Sequence, residues 1–114
     1  MYEHSRLVRK YTEFADAAQT ASAWAESQRI TTAIVRESYY DGARWASGYN
    51  AMSWDAMLAE TVAPQDIVAF RWANQSSASD TERARRQAQL RSLYSAHLAH
   101  DRAAIATALD RHVA

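Results

Sequence analysis

Apolar residues recur along this chain at spacings of three and four, the signature of helices with one buried face. Over residues 3–27, Leu7, Tyr11, Phe14, Ala18 and Ala25 share a stripe, joined by His4, Val8 and Ala15, with Arg6, Arg9, Glu13 and Asp16 beside or behind it. The alanine-rich stretch from Ala15 to Ala25 adds high helix propensity and allows close packing. Trp24 lies off this stripe, at an edge or against a partner. A second helix is expected over residues 29–47, where Ile30, Ala33, Ile34 and Trp45 roughly align. Glu37, Asp41 and Arg44 share that stripe, an unusual mixture, and Gly48-Tyr49-Asn50 reads as the stop. Together these form an N-terminal helical pair over residues 1–50.

Residues 53–75 read as two short helices with a tight joint. Ser53 is a good N-cap, because its hydroxyl can accept a free backbone N–H of the first turn. Asp55 then sits near the positive end of the helix dipole. Trp54, Met57, Leu58 and Thr61 fall on one side. Pro64 cannot continue that helix but suits the first position of the next. Ile67, Val68, Arg71 and Trp72 then follow at helical spacing. The polar run Asn74 to Ser79 is the clearest linker. Residues 80–112 read as one long helix, with Leu90, Leu93, Tyr94, Leu98, Ile105 and Leu109 on its apolar face and a basic, polar first third.

The pair over residues 53–75 resembles the helix-turn-helix of small actinobacterial and phage DNA-binding regulators. Ser53-Trp54, Met57, Val68 and Arg71-Trp72 carry the likeness, which covers about a fifth of the chain. Leu58 stands where that pattern has a small residue, and Val62 where its turn has glycine. The alternatives are a different turn geometry or an ordinary pair of bundle helices. The resemblance implies a regulator that reads duplex DNA as a dimer, with the start of the second helix on base edges. Gln65, Asp66 and Ala69 are then the expected base contacts, with Arg71 either beside them or structural.

Charge adjusts this picture. Thirteen basic residues balance 13 acidic ones, whereas nucleic-acid binders are usually basic. Residues 48–79 hold one arginine against three carboxylates, and residues 80–114 six against four. Phosphate contacts would therefore fall to Arg83, Arg85, Arg86 and Arg91. With two glycines and one proline, turns are few. Without cysteine there is no disulfide or thiolate chemistry, and a reducing compartment is suited. No apolar run reaches a signal peptide or a membrane span.

The remaining chemistry is sparse. His97 and Asp101 are four residues apart, with His100 beside them, as are Glu37 and Asp41. Facing helices could converge them on a metal, or Asp101 could orient His97 as a base. A satisfied local hydrogen bond is the plainer reading, so no catalytic residue, metal or cofactor is expected. Tyr39-Tyr40 beside Asp41-Gly42 could form an exposed aromatic patch of the kind found at protein interfaces. The expectation is a single all-α domain of about five helices, with a helix-turn-helix flanked by long N- and C-terminal helices. Its function would be that of a cytoplasmic, homodimeric, non-enzymatic DNA-binding regulator. The alternatives are a helical protein-interaction module, such as an adaptor or a phage or host inhibitor of a protein partner, and, behind it, a helical-bundle metal protein or enzyme.

Overall fold

Residues 30–40 are rich in β-branched and aromatic side chains: Ile30, Thr31, Thr32, Ile34, Val35, Tyr39 and Tyr40. Such side chains fit a pleated surface better than a helix. A computed structural model of the protein, describing residues 7–113 with side-chain surroundings through Asp101, shows that preference prevailing. The order is β1 (Val8–Tyr11), α1 (Phe14–Gln28), β2 (Thr32–Tyr40), β3 (Trp45–Ser53), α2 (Trp54–Glu60), β4 (Ile67–Arg71) and α3 (Asp80–Val113). The four strands form one antiparallel sheet in the order β1-β3-β2-β4.

This overturns the all-α expectation of about five helices. The helix expected over 29–47 is instead β2, the hairpin turn and the start of β3. Val8 to Tyr11 leave the expected first helix as a strand, and the helix proper begins at Phe14. The helix expected after Pro64 is a single 3-10 turn, Pro64–Asp66, followed by β4. A helix-turn-helix, with its second helix over 64–74, is therefore not what these residues form. The long C-terminal helix matches the expected bounds to within one residue. His4, and the side chains of Ile105 and Leu109, lie outside the described residues.

The connections explain the layering. β1 and β2 run in the same direction with β3 between them, and β3 and β4 do so with β2 between them. Each pair is joined through a helix, and such crossovers share one hand. The two crossovers step the same way across the sheet but start from oppositely directed strands. One hand therefore sends α1 and α2 to opposite faces. On one face, fully buried Ala17 and Ala21 of α1 meet Ile34 and Ala51. On the other, α2 and α3 bring Met57, Leu90, Tyr94 and Leu98 against Ala33, Met52, Ile67 and Phe70. Alternation along the strands divides these two sets.

Three local devices fix the α2–α3 side. Ser53 caps α2 by accepting the Ala56 N–H at 3.2 Å, and it also accepts the Leu7 N–H at 3.0 Å, which ties β1 to the helix start. Thr61 takes a left-handed conformation (φ 50°), and its N–H and that of Val62 close the end of α2 on Leu58 O and Met57 O. The Tyr94 hydroxyl donates towards Met57 O and Val62 O, so α3 holds the turn in place.

β4 is an edge strand, and edges left open invite pairing with other chains. Here α3 closes it. Gln87 Oε1 accepts the Phe70 N–H at 2.7 Å and Gln87 Nε2 donates to Phe70 O at 2.8 Å, as a neighbouring strand would. One turn on, Arg91 donates to Pro64 O and Ile67 O, both at 2.9 Å. At the hairpin's base, a Cβ on Gly48 would lie 2.8 Å from the Tyr11 carbonyl oxygen, so the close approach of β1 to β3 needs glycine there.

Two stability tests follow. Gln87→Leu should cost about 1–3 kcal/mol in urea unfolding, because two backbone groups lose their partner. A loss below about 0.5 kcal/mol, the size of an ordinary surface change, would contradict the clamp. Gly48→Ala should cost about 1–3 kcal/mol as well, since backbone rather than a pliable side chain blocks the methyl. An unchanged melting temperature would show that β1 can step aside.

Candidate functional site

The residues expected to read DNA do not assemble into one surface. Gln65 and Asp66 are exposed on the 3-10 turn, but Ala69 is half-buried on β4 against the α1 side of the sheet. Arg71 ends β4 and donates to Phe70 O, and burial lowers its pKa below the usual arginine value. Of the four α3 arginines expected on phosphates, Arg83 and Arg91 are committed to the fold. Arg83 donates to Gln75 O and Ala78 O and pairs with Asp80. Arg86 donates to Gln89, and Arg91 holds the β4 edge. Arg85 is exposed and has no partner among the described residues.

The carboxylate and histidine candidates are dispersed too. Glu37 pairs with Lys10 at 3.3 Å. Asp41 accepts the Arg44 and Ala43 N–H groups, each at 2.9 Å, which holds its carboxyl below the ordinary range. The His97 ring packs edge-on against Trp54. No group of three metal-ligating side chains occurs among the described residues.

A different surface stands out. β1 flanks β3 only as far as Tyr49, and β4 flanks β2 only from Thr32 to Val35. Beyond those limits β2 and β3 continue as a two-stranded ribbon to the turn at Asp41–Arg44, where Gly42 takes φ +101°. Alternation puts Arg36, Ser38 and Tyr40 of β2 on the same face as Trp45, Ser47 and Tyr49 of β3. Arg9 and Tyr11 of β1 continue that face. Trp45 is 72% exposed and Tyr40 58%, and the two rings meet edge to face at 5.7 Å. No carboxylate occupies a described strand position on this face: Glu37 points to the other, and Asp41 lies in the turn.

A helical stripe fits across the hairpin as well as two strands do, so periodicity does not single out Trp45 and Arg36 as site residues. The legible signal was Asp41-Gly42 between aromatic flanks, a short-range hairpin signature. The ribbon's opposite face leads into a cleft of about 250 Å³ floored by Val35, Asn50 and Met52, with Lys10, Arg36, Glu37, Glu60 and Asp66 around it. Asn50 is 8% exposed, and its Oδ1 is buried without a hydrogen-bond partner. An unpaired buried carbonyl of this kind costs about 1–3 kcal/mol. No helix among the described residues is long and apolar enough to cross a membrane. No protein-family model matches the chain, and no curated protein or solved structure matches it either.

Proposed function

We propose that this protein is a protein-interaction module that docks through the β2–β3 ribbon onto an acidic segment of a partner protein. The observation that carries the reading is Trp45, 72% exposed and paired with Tyr40 on a ribbon that no other described element covers. Trp, Tyr and Arg are the residues that most often dominate binding energy at interfaces. Charge selects the partner. Arg9 and Arg36 share the aromatic face and have no partner among the described residues, while the nearby carboxylates are held elsewhere. Backbone groups of Ser38 and Tyr40 also face an unpaired edge, so an extended segment can add there as a strand.

Duplex DNA has less support as the partner. The overall charge is balanced, and two of the four arginines assigned to phosphates, Arg83 and Arg91, serve the fold instead. A cytoplasmic location accords with a cysteine-free chain.

The test uses nuclease-treated extract and the full chain as bait. A partner retained by the wild type, mapped to an acidic segment, should be lost with Trp45→Ser and Tyr40→Ser and kept with Arg85→Ser. Arg36→Gln should weaken the complex and flatten its salt dependence. The ribbon variants should melt within a degree or two of wild type, because these side chains are exposed. Retention that survives both ribbon substitutions would overturn the proposal. So would a dimer of this chain abolished by Trp45→Ser, or nuclease-sensitive retention.

A further inference from the structure

Beyond Val35, one edge of β2 is bare, because β4 starts only at Ile67 and the chain before it turns away at Pro64–Asp66. The ladder dictates which groups that edge presents. Phe70 turns both its N–H and its C=O outward to Gln87, so the Ala33–Phe70 pair exchanges no hydrogen bonds. Thr32 and Ile34 therefore bond to β4. By alternation Ser38 and Tyr40 turn N–H and C=O to the bare edge, while Glu37 and Tyr39 bond to β3. On the aromatic face, Arg36 and Tyr40 stand four residues apart on one strand, about 13 Å. Glu37 and Asp66 line the cleft on the opposite face. Arg36 also borders that cleft, but it forms no ion pair with either carboxylate among the described residues.

We infer, with the ribbon taken as the docking surface, that the partner segment adds antiparallel to β2 at Ser38 and Tyr40 and carries an apolar residue four positions before a carboxylate. The segment continues the line of β4 and shares its direction, which is antiparallel to β2. Antiparallel pairs are also the more stable kind. Residues directly opposite each other project to the same face. The apolar side chain therefore lies beside Tyr40 and Trp45, and the carboxylate beside Arg36. A small polar residue midway faces Ser38. The positions flanking the carboxylate project to the opposite face, towards Glu37 and Asp66, so they are neutral or basic. The segment is acidic at alternate positions only.

The probe is a capped peptide, Ile-Thr-Ser-Thr-Glu between Gly-Ser flanks, titrated into the full chain and followed by backbone amide shifts. Saturable shifts are expected at residues 36–40 and 45–47. The reversed order, Glu-Thr-Ser-Thr-Ile, should bind at least about threefold more weakly, because both cross-strand pairs are lost. N-methylation of the central serine, whose N–H meets the edge, should abolish binding. N-methylation of either threonine, whose N–H points away, should leave binding in place. Ser38→Pro should also abolish it and melt near wild type, since the N–H it removes faces the bare edge. Should that variant unfold, the methylated peptides carry the test. Absence of saturable binding, equal affinity for the two orders, or equal effects of the serine and threonine methyl groups overturns the inference. If the partner from extract is nonetheless lost with Trp45→Ser, the docking surface stands and only this mode of binding falls.

Discussion

One glutamine side chain allows the sheet to end where it does. Gln87 offers Phe70 both an acceptor and a donor, at 2.7 and 2.8 Å, and so supplies what a fifth strand would have supplied. An edge strand carries unpaired N–H and C=O groups, and a helix has no spare backbone groups at mid-length to meet them. A side-chain amide has both functions in one plane, whereas an ionised carboxylate can only accept. Because Gln87 fixes the height of α3 along β4, Leu90, Tyr94 and Leu98 fall opposite Ile67, Phe70 and Met57. Arg91 repeats the clamp one turn later on Pro64 and Ile67. The helix thus closes the edge and seals the core with one face.

The candidate surfaces are what that packing leaves over. α1 is a stripe of alanines that approaches the sheet closely and covers the strands around Ile34 and Ala51. It does not reach the ribbon beyond, where Tyr40 and Trp45 project on the same side. On the other face, α2 is seven residues long and stops at Glu60. The space past its end becomes the cleft above Asn50. Ribbon and cleft both lie where a covering helix ends before the strands do.

Sequence reading succeeded where one physical signal acted alone. Ser53 caps α2 as its position implied, and Leu90, Tyr94 and Leu98 are buried at the spacing that marked them, although Leu93 is exposed. It failed where two structures produce the same pattern. Thr32 to Val35 are buried on both faces of an inner strand, so they form a continuous run without the alternation that reveals a strand. β3 contains alanine, serine and methionine, which do not oppose helix. The charged residues on the supposed stripe of residues 29–47 were the clue that the period was wrong. Of the candidate site, the aromatic turn at Tyr39–Gly42 was visible. The unpaired Asn50 was not, because its lack of a partner exists only once three strands align.

The arginines show how the same residues change meaning with fold. On a helical surface, Arg83, Arg86 and Arg91 would track phosphates; in this molecule each donates to a nearby oxygen of the chain. The clamp that commits Arg91 and Gln87 is therefore central to the fold. Amide hydrogen exchange at Phe70 tests it most directly. With Gln87 acting as a strand, the Phe70 amide should be protected to the level of the inner strands. The outward-facing amides of Val8 and Lys10 on the other edge should exchange fast. Exchange at Phe70 as rapid as at Val8 and Lys10 would contradict the account.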